Sequence, residues 1–271
     1  MLLAYKFKRI MDLTMSKTNQ DLKQKYDEVF KKGSENFFTS NGFEESLGII
    51  QMLNDWGNLE VLDIGCGPGK LASMISAAGA SKVDGIDYSK EAITLAKKQF
   101  NIKNVNYSCM DYKSVNEKYD VVTLQGVLEH LNNPFEELHE IFEHCVKPNG
   151  VLITSSPSFL NPRGYVWMTL QLLFDVPMSL TDLHFICPPD FVEFCDKNNY
   201  ELEYRSVYQK WGSGEDMIKD FNRRLRNALQ DANMDNSNVD RLLKWLAKGI
   251  KYVPYSNDTG AGVVYKIKKK R

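Results

Sequence analysis

Gly65, Gly67 and Gly69 stand between a short apolar run at 61–64 and a helical composition that opens at Lys70. A glycine-rich strand-to-helix turn lets backbone approach a ligand closely, because no Cβ stands in the way. A dinucleotide fingerprint would need a glycine where Lys70 stands, since that loop seats a pyrophosphate on a helix N-terminus. The GxGxG spacing fits instead a loop passing an uncharged nucleoside that carries an amino-acid chain. Asp87 closes the next apolar run, 22 residues after Gly65, where an acid holds a pair of ribose hydroxyls. Asp111 closes a third run at Cys109-Met110-Asp111-Tyr112, a place suited to accepting from an adenine amine.

Groups for proton transfer are few. Glu129 and His130 follow a fourth apolar run, and His184 enters from a later connection. Each is a candidate general base toward a hydroxyl, His130 foremost because it lies one turn past that run. His139 and His144 fall inside a helical pattern and read as packing or surface. Glu129 and His130 are two neighbouring ligands without a third, so no metal centre is expected. Phe159, Tyr165, Trp167, Phe174 and Trp211 fit a pocket mouth or a core equally well.

These groups depend on the elements that carry them. Runs at 61–64, 83–86, 105–109, 119–124 and 151–155 read as strands, and 70–78, 90–99 and 134–145 as helices between them. Such alternation implies right-handed crossovers and a mostly parallel sheet. Helical patterns at 21–32 and through Leu47, Ile50, Leu53 and Trp56 precede it, and a Pro-Asn-Gly turn is expected at 148–150. Residues 156–184 read as an aromatic-rich connection, 188–197 as a helix and 200–208 as a strand. Amphipathic helices at 217–229 and 239–250 then interrupt the sheet before a last strand at 262–267. The expected fold is α/β, doubly wound, with a mostly parallel seven-stranded sheet, helices on both faces and a helical cap inserted near the C-terminus. The expected division is a helical segment over the cleft at 1–45, an α/β core at 46–210, the cap at 211–256, and a last strand with basic tail at 257–271.

With 271 residues, 34 basic against 35 acidic side chains and 43% hydrophobic residues, the chain has the make-up of a globular protein. Whole-chain disorder, a collagen-like repeat and a polycation built for nucleic acid are excluded. Asp216, Asp220 and Asp231 dilute the basic group Lys219, Arg223, Arg224 and Arg226, and the terminal Lys/Arg run reads as a solvated tail. Five cysteines without a CxxC pair suit reduced thiols in a cytoplasmic protein. Charged residues Lys6, Lys8, Arg9 and Asp12 break any signal-peptide core, and no segment reads as a membrane span.

The pieces VLDIGCGPG (61–69), VDGIDYS (83–89), CMDY (109–112), YDVVTLQGVLEHL (119–131) and VKPNGVLITS (146–155) occur in order. Together they resemble the class I S-adenosylmethionine-dependent methyltransferases, whose sheet is Rossmann-like. GVLEHL and HFICPPDF (184–191) are most similar to the branch with the ubiquinone-biosynthesis O-methyltransferases. The helical stretch after Tyr208 departs from that branch's common core. The resemblance implies S-adenosylmethionine as cofactor, with Gly65, Cys66, Gly67 and Gly69 along its methionine part and Asp63 near its amino group. It implies Asp87 at the ribose, Asp111 at the adenine amine, Gln125 offering its backbone carbonyl to the ammonium, and Tyr88 and Tyr112 flanking the adenine or packing. A small or medium acceptor methylated at a hydroxyl is expected. N-methylation, an RNA or protein acceptor, and a cofactor-binding module without turnover stay open.

Overall fold

The computed structural model describes residues 42–176 and 182–270. The expected helix at 21–32 and most of the expected N-terminal segment lie outside the described residues. One seven-stranded sheet organises the rest, in the order β3-β2-β1-β4-β5-β7-β6. In chain order its strands are β1 (Glu60–Ile64), β2 (Lys82–Asp87), β3 (Val105–Cys109), β4 (Tyr119–Gln125), β5 (Val146–Pro157), β6 (Tyr200–Val207) and β7 (Gly262–Lys269). The first five pair in parallel, and β7 runs antiparallel between β5 and β6.

Alternation along the strands builds two cores. Leu62, Val122, Leu152 and Tyr265 face one side, against α4 (Pro134–Cys145) and α6 (Pro188–Asn198). Val61, Val121, Ile153 and Val264 face the other, against α1 (Phe43–Ile50), α2 (Lys70–Ala77) and α3 (Lys90–Gln99). Helix starts follow local chemistry. Ser89 accepts from the Ala92 N–H at 3.2 Å to open α3, and Pro134 occupies the first turn of α4, where its missing N–H costs nothing.

A third cluster lies apart from the sheet. It joins α5 (Pro162–Phe174), α8 (Glu215–Asp231) and α9 (Val239–Gly249) through Trp167, Met217, Phe221, Leu225, Val239 and Leu243. The short α7 (Gln209–Ser213) leads into it. Asp220 on α8 is buried and accepts from Arg163 Nε at 2.8 Å, with Arg223 and Arg224 each 3.5 Å from its other oxygen. The guanidiniums hold its carboxyl below the usual range against the opposing effect of burial. This ion cluster pins α8 to the first turn of α5.

The expected helices at 217–229 and 239–250 form as α8 and α9, between β6 and β7. Three expectations need correction. Residues 156–184 were expected as a connection, yet α5 forms inside them. Pro148-Asn149-Gly150 lies within β5, where the pairing with β4 shifts register between Tyr119 and Val121. The first described helix ends at Ile50, and Trp56 instead folds back to donate from Nε1 to the Ile50 carbonyl at 2.9 Å.

Candidate active site

The carboxyl ends of β1 to β5 share one edge, and the loops leaving it carry most of the titratable groups singled out in the sequence. β1 runs into the glycine turn, where Gly65 and Cys66 donate their N–H groups to the Ile86 carbonyl at 2.8 and 3.0 Å. Gly65, Gly67 and Gly69 all have positive φ, at 69°, 51° and 85°. At Gly69 a Cβ would lie 2.6 Å from the Tyr107 hydroxyl, and at Gly65 a Cβ would lie 2.6 Å from a Val127 methyl. Only glycine follows this path without strain. Cys66 turns its side chain into the core, and burial pushes its thiol far up, leaving only its backbone to the loop.

Asp87, at the end of β2, ties this loop to the next. Its Oδ2 accepts from the Gly67 N–H at 3.0 Å and its Oδ1 from the Ser89 N–H at 2.8 Å. Asp63 lies within β1, 1% exposed, and accepts from the Thr123 hydroxyl at 2.8 Å. Burial drives its pKa up to about 7; the Thr123 hydrogen bond opposes the shift and the nearby Asp87 charge adds to it. Tyr88 is 39% exposed beside these groups. Asp111 is exposed and accepts from the Lys113 N–H at 2.9 Å, opening the 3-10 turn Tyr112–Ser114. Tyr112 points away from this edge into the core, and its hydroxyl donates to Glu140 on α4 at 3.1 Å. Of the two expectations for Tyr112, flanking a ligand or packing, this placement favours packing.

Gln125, at the end of β4, is bound by α1. It accepts from the Ser46 hydroxyl at 2.7 Å and donates to the Gly42 carbonyl at 3.3 Å and to Glu45 at 3.4 Å. Burial raises the Glu45 pKa, eased by hydrogen bonds to Ser155 and Gln125. Glu45 was not singled out in the sequence, since its partners lie some 80 and 110 residues away.

The chain then makes a 3-10 turn over Leu128–His130. The Leu183 and His184 N–H groups donate to the Glu129 carbonyl at 2.7 and 3.2 Å, docking that distant segment on the turn. Asp182 thereby joins the expected pair. His130 Nδ1 lies 3.9 Å from Asp182 and Nε2 4.0 Å from Glu129, and one donor atom from each of the three falls within 4.8 Å of the others. The sequence reading lacked this third group. Glu129 is 4% exposed, and burial together with the Asp182 charge holds its carboxyl well above the usual range. Burial lowers the pKa of His184, which keeps its imidazole neutral.

His139 and His144 sit on α4, bonded to the Tyr200 hydroxyl and the Val115 carbonyl, each at 2.8 Å. They serve packing, as expected. Of the aromatics, Trp167 is buried in the α5–α8–α9 cluster with Phe159 against it, while Tyr165 and Phe174 are exposed. The terminal lysines Lys266, Lys268, Lys269 and Lys270 each pair with a carboxylate, and Lys219, Arg223, Arg224 and Arg226 do the same. All five cysteines are free. Among the described residues no helix is long and apolar enough to cross a membrane.

The ubiquinone biosynthesis O-methyltransferase of Neisseria meningitidis is 30% identical over 146 residues, covering 50% of this chain and 60% of its own. The mitochondrial enzyme of that name from Schizosaccharomyces pombe is 37% identical over 179 residues, covering 60% and 65%. The chain thus spans about three fifths of the length of these curated relatives. An S-adenosylmethionine-dependent methyltransferase from Mesorhizobium loti shares the fold, with TM-score 0.53, 15% identity and coverage of 84% and 98%. A family model described as a methyltransferase domain matches residues 15–239, more than half the sequence, and the chain belongs to that methyltransferase-domain family.

Proposed function

We propose that this protein is an S-adenosylmethionine-dependent methyltransferase acting on a small or medium-sized acceptor at a hydroxyl oxygen. One observation carries the reading: a loop of three positive-φ glycines held by Asp87, directly beside a buried carboxyl at Asp63. The positive-φ path brings bare backbone to the loop's surface, and a cation placed against the buried Asp63 carboxyl would offset the cost of charging it. Both features fit the ammonium end of the cofactor. When bound, the cofactor supplies a methyl group already activated on its sulfonium.

The residues of this chain then bind, orient and move a proton. Asp87 takes the ribose hydroxyls while holding Gly67, and Tyr88 and Asp111 take the adenine. Gln125, fixed in place by Ser46 and Gly42, presents its carbonyl to the ammonium. Asp182 beside Nδ1 of His130 favours the tautomer with its proton on Nδ1, so Nε2 receives the acceptor's hydroxyl proton. Burial holds the Glu129 carboxyl well above the usual range, which favours its neutral form beside Nε2. His184 is the second candidate base, since burial favours its unprotonated form.

The division at 1–45, 46–210, 211–256 and 257–271 assigns the α8–α9 layer to the acceptor side. Support comes from Phe185, next to His184, which packs against the same cluster as α8 and α9.

Calorimetric titration with S-adenosylhomocysteine tests the cofactor half of the reading. Asp87→Ala removes a charge-assisted contact of about 1.5–3 kcal/mol, so affinity should fall at least about tenfold. An unchanged affinity in folded protein would sink the ribose assignment.

A further inference from the structure

Helix α9 has two faces with different chemistry. Val239 and Leu243 are buried against α8, with Leu242, Leu246 and Ile250 packed beside them. The outward face carries Arg241, Lys244, Lys248 and Lys251, at spacings of three, four and three residues, with Trp245 and Tyr252 alongside. At 3.6 residues per turn Arg241, Lys244, Trp245 and Lys248 fall within roughly a third of the circumference of α9, and the 3-10 turn Ile250–Tyr252 that follows adds Lys251 and Tyr252, a row about 15 Å long. All four cations are exposed. Trp245 is 70% exposed and Tyr252 78%. Lys251 stands 5.1 Å from the Tyr252 ring. The acid Asp240, at the margin of this face, is paired with Arg226 on α8.

The basic residues of α8 and the terminal lysines all meet carboxylates, whereas among the described residues none of the four on this ridge is in an ion pair. The apolar side of α9 is already committed to α8, so the exposed tryptophan takes no part in that packing.

We infer that the outward face of α9 docks the protein on an anionic lipid bilayer. A ridge of cations is complementary to negatively charged headgroups, each lysine or arginine adding about 1 kcal/mol near such a surface. Tryptophan and tyrosine rings settle at the headgroup level, where one part is apolar and the other wet. The shape selects a plane over a strand, because single-stranded nucleic acid is held in a basic groove and this face is convex. No aliphatic side chain stands on the ridge to enter the acyl region, so attachment is peripheral and reversed by salt. None of these six side chains is among those named for cofactor binding or proton transfer, although α9 belongs to the layer placed on the acceptor side, and the vesicle test reads binding without turnover.

The test uses the full chain with vesicles of phosphatidylcholine alone and of phosphatidylcholine mixed with phosphatidylglycerol. Co-sedimentation should occur with the anionic vesicles at low salt, disappear at high salt, and be absent with the neutral ones. Trp56 and Trp167 are buried and Trp211 half-buried, so a blue shift of emission on binding should vanish in Trp245→Phe. Each lost cation should weaken partitioning about fivefold, and the double variant Lys244→Glu, Lys248→Glu at least about 25-fold, with its melting temperature unchanged. If that variant melts early, Lys251→Gln serves in its place. Binding to neutral vesicles alone, no binding to either, or a Trp245 emission that stays unshifted overturns the inference. So does a labelled oligouridine that binds more tightly than the vesicles and is lost in the same variants.

Discussion

Asp63 offers a quantitative test, because its side chain is buried and its proton affinity is set by that burial. Its carboxyl is pushed to about 7 in the folded protein, against about 3.9 in an unfolded chain. A carboxyl raised on folding contributes stability that is complete below about pH 4 and is lost as pH climbs through 7. Between pH 5 and pH 8 the linkage relation gives a loss of about 2–3 kcal/mol from this one group. Asp63→Asn keeps the shape and can still accept from the Thr123 hydroxyl, yet has no proton to lose. Urea unfolding of ligand-free protein at pH 5, 6, 7 and 8 should therefore show wild type losing about 2–3 kcal/mol more than the variant. The difference between the two isolates Asp63 from Glu45 and Glu129, which titrate in both. The cofactor's ammonium should reverse the shift, so binding at pH 6 should release close to one proton. Calorimetry in buffers of different ionisation enthalpy would detect it, and Asp63→Asn should abolish it. Parallel pH profiles for wild type and variant would refute the argument, as would binding without proton release.

The other two predictions concern the loop and the base. Gly69→Ala must hold φ near 85° and place a Cβ 2.6 Å from the Tyr107 hydroxyl, so urea unfolding should register a loss of at least about 1 kcal/mol and weaker S-adenosylhomocysteine binding. Wild-type stability would mean the loop has room to relax. Asp182→Asn removes a negative charge beside His130 and lowers that imidazole's pKa, so the acid limb of kcat/KM should move to lower pH and the plateau should fall. His130→Gln should flatten the limb and cost ~10²–10⁴-fold in turnover. A limb that stays put in both variants would remove histidine from the proton path.

The sheet was legible because its signals are local. β1, β2 and β4 are short, largely apolar runs that end at or just before a glycine or an acid, and helices such as α3 and α4 carry their caps and periodicity in the same dozen residues. Helix α5 escaped although Asn161 accepts from the Gly164 N–H at 2.8 Å and Pro162 occupies its first turn. Its apolar residues lie all round the helix, with Trp167 buried and Leu172, Leu173 and Phe174 exposed, so no single face stands out. Within the site, Asp87 and Asp111 could be read from strand ends. Asp182 and Glu45 could not, because each acquires its role from residues that only the fold brings near. The two readings of Tyr112, flanking or packing, could not be separated in the sequence for the same reason: its hydroxyl meets Glu140, 28 residues on.

The position of β7 governs the order in which the protein assembles. This strand pairs with β5 on one side and β6 on the other, although β5 ends at Pro157 and β7 begins only at Gly262. Until it arrives, β5 presents one bare edge and β6 has no partner in the sheet. Unpaired edges of this kind recruit other chains, and pairings that wait on distant sequence form slowly. During synthesis β1 to β5 emerge first and expose that edge while β6 and α7 to α9 are still being made. The α5–α8–α9 cluster draws the intervening chain into a compact unit, shortening the loop that remains to be closed and bringing β7 back toward its slot. A chain cut before Gly262 would thus lose the middle of one side of the sheet and not merely an end, and should be recovered as aggregate.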